Sequence, residues 1–189
     1  MIRFGLLLLL LLLTFACWPG GLAPVLAAPP HKISPKKPEA DEPVKPVQIA
    51  TYGDWGAFLA EAGKEKTCYA LAKPRERTPA SLKRDPAYIF ISSRPGENIR
   101  NEVSVIMGFK MKDGGDAEAE VGPANFELIS KGTNAWVKNP AKETELIDAM
   151  KKGAKLTIKA ASIKGNMTVD SYSLSGLSQA LDRVKKECP

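Results

Sequence analysis

NPAKETELIDAMKKG (Asn139 to Gly153), AKLTIKAAS (Ala154 to Ser162), MTVDSYSLSGL (Met167 to Leu177) and SQALDRVKKEC (Ser178 to Cys188) follow one another along the C-terminal part of the chain. The first stretch is a helix marked at both ends. Asn139 caps it, Pro140 takes the first helical position, Glu143 and Glu145 meet the positive end of the dipole, and Lys151 and Lys152 the negative end. Leu146, Ile147 and Met150 form its apolar face, and Gly153 is placed for a left-handed stop. The second stretch alternates, with Leu156, Ile158 and Ala160 on one side and Lys155, Thr157 and Lys159 on the other. Lys164, Gly165 and Asn166 turn the chain into a partner strand. There Met167 and Val169 start on one parity and Tyr172 and Leu174 continue on the other, which predicts a bulge near Asp170 and Ser171. In the last stretch Leu177, Leu181, Val184 and Cys188 lie on one stripe, so Cys188 faces inward. The expectation is a mainly β, antiparallel domain with two short helices, at about 140–152 and 176–187.

Working outward from this segment, the upstream chain reads as further strands. Trp55 and Phe58 lead one strand, Gly63 and Lys64 turn it, and Thr67 to Leu71 return, placing Cys68 on a strand. Pro74 and Pro79, among Arg75, Arg77 and Lys83, read as an exposed loop. Ala87 to Ser92 is short, apolar and aromatic, and Arg94 to Asn98 is a turn cluster. From Glu102 to Met111 the alternation is strict, with Val103, Val105, Met107, Phe109 and Met111 on one face. Phe126 and Leu128 alternate again before a turn at Lys131 to Asn134, and Trp136 on the return strand reads as a core anchor, with a sugar-stacking platform as the sharper alternative.

The chain has 189 residues, a length suited to one domain with appendages. Residues 1–27 read as a secretory signal peptide: a short basic start, a leucine run from Leu6 to Leu13, and a small-residue cleavage signal ending near Ala27. The leucine run is too short to span a bilayer. Cys17 raises a lipoprotein reading, but Thr14, Phe15 and Ala16 do not form the expected lipidation signal; otherwise Cys17 is a thiol discarded with the leader. Residues 28–48 are rich in Pro and Lys and poor in large apolar groups, which predicts a disordered linker. At about 3.1 Å per residue it would reach roughly 60 Å. The domain is then 49–189.

Once a leader is removed, Cys68 and Cys188 remain. In an oxidising compartment an even cysteine count predicts a disulfide. The one histidine, His31, falls in the linker, so the domain has no histidine for a triad, a His metal site or an HExxH motif. No metal site and no cofactor are expected. Carboxylates are present (Asp54, Glu61, Glu97, Glu102, Asp170), as composition supplies in any domain, and Ser162 with Lys164 lacks an SxxK motif. The formal charge is +6 and the pI about 9.2. No zinc-finger, RNP or GxxxxGK pattern accompanies it, so nucleic acid is not an expected partner. Lys151, Lys152, Lys155, Lys159 and Lys164 form the candidate patch for anionic lipid or glycan surfaces, against the plainer reading of a solvated sheet face.

Several motifs stand in a recognisable order. They are YGDW at Tyr52, CY at Cys68 with Pro74 beyond, YIFI at Tyr88 with Arg94 and Pro95, NEVS at Asn101, AW at Ala135, AMKKG at Ala149 and DSYSLSG at Asp170. Together, over about residues 50–188, they resemble the invasion-associated locus B family. That resemblance implies a β-sandwich-like domain exported to the periplasm or outer envelope, or secreted, in alphaproteobacteria. It carries no catalytic residue to this chain. Many members have a further cysteine shortly after the GDW-like motif; Trp55 to Lys66 contains none, so a second disulfide is not expected. The functional expectation is a non-enzymatic binding module for envelope components or a host-cell surface (protein, anionic lipid or glycan), with no transmembrane segment in the mature chain. The alternative is a structural envelope-maintenance protein without a dedicated ligand.

Overall fold

The structure, a computed structural model, describes residues 45–189. The predicted signal peptide, Cys17 and most of the predicted linker lie outside the described residues. The linker's predicted end is shortened, because the first strand, β1 (Val47–Tyr52), starts inside it. It pairs with β2 (Trp55–Ala62), which turns into β3 (Glu65–Ala72). Then come β4 (Glu76–Thr78), β5 (Tyr88–Arg94), β6 (Ile99–Ile106), β7 (Asp116–Val121), β8 (Ala124–Lys131) and β9 (Asn134–Val137). After a short helical turn at Pro140–Lys142 the chain forms α1 (Glu143–Lys152), β10 (Lys155–Ala161), β11 (Met167–Ser173) and α2 (Leu177–Glu187).

Among the described residues the eleven strands form one sheet in the order β1-β2-β3-β5-β6-β9-β8-β7-β10-β11-β4, with antiparallel pairing throughout. The mainly β expectation with two helices therefore holds. β2 and β11 stand near opposite ends of that order, yet Trp55 Nε1 donates to the Ser173 carbonyl at 3.0 Å and the Asp54 amide donates to the Ser175 carbonyl at 3.1 Å. The sheet curls until its two ends meet. A single core fills the inside: Trp55, Ile89, Ile91, Val103, Leu128, Leu156, Ile158 and Tyr172 from the strands, with Leu146 and Met150 of α1 and Leu177 and Leu181 of α2. α2 packs on β1, β2 and β3, and α1 on β6 and β7. Each large apolar side chain buried this way contributes about 1.5–3 kcal/mol.

Asn139 caps as expected, its side chain accepting from the Ala141 amide at 3.1 Å. Gly153 does not take the left-handed stop; its φ is −86°. Glycine is needed there for another reason, since a Cβ would lie 2.5 Å from Val121 Cγ1, where α1 meets β7.

Four further expectations change. The ladder of β6 stops at Ile106 and does not run to Met111, because the chain turns away and the Asp85 amide donates to the Gly108 carbonyl at 2.9 Å. Met107 and Met111 stay buried, and Met111 only bridges to Ser162. Trp136 is not a core anchor; it sits half-buried on the outward face of β9, while Ala135 and Val137 point in. No bulge interrupts β11, whose register runs unbroken from Lys155 opposite Ser173 to Ala161 opposite Met167. Thr168, Asp170 and Tyr172 therefore share the inward face and Met167 is left outside. Finally, the segment around Arg77 is not a loose loop but carries β4, paired with β11.

Candidate functional site

The unbroken parity of β11 buries a carboxylate. Asp170 is 0 % exposed, and two guanidiniums meet it. Arg77 Nε donates to Oδ2 at 3.0 Å, and Arg84 Nη1 donates to Oδ1 at 2.9 Å. Arg77 also donates to the Asp85 and Met107 carbonyls, each at 2.7 Å. Residues from β4, from the segment after it and from the end of β6 are thus held to one point on β11. Burial pushes the Asp170 carboxyl up, while the two guanidiniums oppose that shift. The neighbouring Tyr172 phenol is also pushed up by burial, and then by Asp170, and its hydroxyl makes no hydrogen bond. This cluster ties the fold together, with the Asp170 and Arg84 side chains buried and the Arg77 side chain partly exposed.

A second junction joins the YGDW and DSYSLSG motifs. Gly53 and Gly176 both have positive φ (54° and 92°), and a Cβ on Gly176 would lie 1.8 Å from the Tyr52 carbonyl oxygen. Only glycine allows the backbones to approach so closely. Beside them Arg75 grips Asp54 through two hydrogen bonds, at 2.7 and 3.1 Å. Hydrogen bonds from Arg75 and Ser173 hold the Asp54 carboxyl below its ordinary value of 3.8. A depressed carboxylate adds stability that is complete above the unfolded-state value and disappears as pH falls through the folded one. The stability gap between the wild type and Asp54→Asn is accordingly expected to be constant above about pH 5 and to close in stronger acid, as read from denaturant midpoints across pH.

The predicted disulfide is present, with Cys68 and Cys188 joined at an S–S distance of 2.11 Å. It pins the end of α2 to the inward face of β3.

The five lysines do not form one patch. Lys151, Lys152 and Lys155 are exposed together where α1 hands over to β10. Lys159, further along, pairs with Glu120 of β7 at 2.5 Å, and that hydrogen bond raises its pKa. Lys164 lies past the other end of β10, and seven strand residues at about 3.3 Å each put it roughly 20 Å or more from Lys155. There it lines a cleft of about 370 Å³ with Lys83, Lys110, Phe109 and Ile163.

The outward face of the sheet also carries an aromatic row that the sequence reading missed. Phe58 of β2 stacks on Tyr69 of β3 with ring centroids 5.2 Å apart, Tyr69 meets Phe90 of β5 at 5.6 Å, and Phe90 meets Tyr88 at 6.2 Å. Lys73 Nζ stands 5.8 Å above the Tyr88 ring. All four rings are half-buried and point away from the core. The signal was present in the alternate positions of three neighbouring strands, but their register across the sheet could not be read from composition.

The carboxylates named above do not converge: Asp54 is bound to Arg75, Asp170 to Arg77 and Arg84, and Glu97 and Glu102 share Arg94. Ser162 Oγ accepts from the Asn166 amide at 3.1 Å and organises its turn. Among the described residues, no cluster of three or more His, Cys, Asp or Glu side chains is placed to hold a metal ion, and no helix is long and apolar enough to cross a membrane.

No curated protein and no solved structure matches the chain. Residues 59–185 match the protein family described as Invasion associated locus B (IalB) protein, a span from within β2 to the last turns of α2. That span takes in the aromatic row from Tyr69 onward, the Asp170 cluster and Cys68, so the chain belongs to the invasion associated locus B family.

Proposed function

We propose that this chain is an exported, non-enzymatic binding module that works at the bacterial envelope or on a host-cell surface. The observation that carries the reading is the half-exposed row of Phe58, Tyr69, Phe90 and Tyr88 on the outer side of the sheet. Aromatic side chains outside the core give a large contact area at low conformational cost. The disulfide supports an oxidising compartment, in keeping with the leader-like sequence at the start of the chain. Export followed by cleavage near Ala27 places the domain in the periplasm, in the outer envelope or outside the cell.

A deletion strain complemented with the wild type or with Tyr69→Ser/Phe90→Ser tests the reading. Loss of surface or host-cell attachment that only the wild type restores supports it. Normal attachment with heightened detergent sensitivity, restored equally by both forms, would instead make the protein a structural component of the envelope.

A further inference from the structure

The turn between β10 and β11 combines features that the core and the junctions do not explain. Ile163 is 64 % exposed and Met167 59 % exposed, so two large apolar side chains stand in water at the two ends of one five-residue turn. Solvated singly, such residues are unremarked; paired at a protruding tip they mark a contact. The tip is braced, because the Ile163 amide donates to the Lys110 carbonyl at 2.8 Å and the Gly165 amide to the Ser162 carbonyl at 2.8 Å. Its immediate surroundings are cationic. Lys83, Lys110 and Lys164 are exposed around the cleft beside it, the half-buried Phe109 and Leu82 line it with them, and no acidic side chain does. The other end of β10 differs, since Lys151, Lys152 and Lys155 are exposed there but the large apolar residues beside them in the chain, Met150 and Leu156, are buried.

From this combination we infer that the β10–β11 tip docks on an anionic lipid surface, with Ile163 and Met167 entering the headgroup layer and Lys83, Lys110 and Lys164 meeting lipid phosphates. Apolar groups at a tip with unneutralised lysines around them match a bilayer interface, in which acyl carbon lies just beneath a plane of negative charge. A free phosphate compound would use the lysines but would leave Ile163 and Met167 without a role. The inference goes beyond the binding-module reading and uses a different surface from the aromatic row, so either can fail alone.

The test is sedimentation of the exported chain, disulfide intact, with vesicles of phosphatidylcholine alone or mixed with phosphatidylglycerol. Binding is expected only to the mixed vesicles and is expected to weaken between low and physiological salt. Lys83→Gln/Lys110→Gln/Lys164→Gln is expected to reduce partitioning by roughly fivefold per lysine, on the order of a hundredfold together. Ile163→Ser/Met167→Ser is expected to lose about tenfold or more, while Lys151→Gln/Lys152→Gln/Lys155→Gln stays within about twofold of the wild type. These are all exposed positions, and unchanged melting curves verify that each variant folds. Equal binding to both vesicle types, an equal loss in the Lys151 variant, or no loss in the Ile163 variant would overturn the assignment. Complete displacement by millimolar glycerol phosphate would also overturn it, pointing to a soluble phosphate ester in place of a bilayer.

Discussion

Asp170→Ala is expected to lower unfolding free energy by about 3–5 kcal/mol, the range for removing one partner of a buried ion pair. The carboxylate neutralises two guanidiniums at 3.0 and 2.9 Å, and the Arg84 side chain is only 5 % exposed. With Asp170 gone, Arg84 keeps its charge in a site that water barely reaches, while Arg77 retains its two carbonyl acceptors. The loss is thus mainly the cost of an orphaned cation and only partly that of missing attraction. A consequence separates this mechanism from simple loss of packing: Asp170→Leu/Arg77→Met/Arg84→Met is expected to recover much of the deficit, because apolar groups of similar volume need no counter-charge. Chemical denaturation of the single and triple variants measures both effects. A single variant within about 1 kcal/mol of the wild type would mean that solvent reaches the cluster.

The second large effect concerns the disulfide. Cys68 and Cys188 are 120 residues apart in sequence, and the chain-entropy model assigns a loop of that length roughly 5 kcal/mol of stabilisation. Total stabilities of small domains are about 5–15 kcal/mol, so the bond supplies a large share. Reduction, or Cys68→Ala/Cys188→Ala, is expected to lower the unfolding free energy by that amount, read as a lower denaturant midpoint, with the end of α2 the first segment to lose amide protection. A midpoint that does not respond to reductant would contradict this account of the bond.

These two locks were not equally legible in the sequence. The disulfide was, because two domain cysteines behind a leader-like sequence leave little choice, and the stripe of Leu177, Leu181 and Val184 already turned Cys188 inward. The Asp170 cluster was not. Hydrophobic alternation treats an aspartate as an outward residue, so Met167 and Val169 read as the buried set and only a bulge reconciles them with Tyr172. The partners that make an inward Asp170 tolerable are about 90 residues away in sequence, beyond the reach of any local pattern. β7 was missed for a related reason: its inward residues are Ala117, Ala119 and Val121, too small to raise a hydrophobic signal among Asp116, Glu118 and Glu120. Trp136 failed in the opposite direction, since a large aromatic on a strand suggests the core, while the inward places on β9 belong to Ala135 and Val137. For the lysines the spacing was misleading, as a strand carries Lys155 and Lys164 apart where a compact turn would have gathered them.

The same geometry explains why the outward face is available for contact. A sheet that curls on itself and closes through Trp55, Asp54 and Ser173 spends its inward positions on one core and leaves alternate positions of β2, β3 and β5 facing out. Those positions hold rings where most outward strand positions hold polar groups.

The most direct measurement of that central claim is binding of the oxidised domain to purified envelope vesicles and host-membrane vesicles, comparing the wild type with Phe58→Ser/Phe90→Ser. The account predicts that the variant, with an unchanged melting temperature, loses at least about tenfold in affinity for one of the two surfaces. Equal binding by both forms to both surfaces would contradict it.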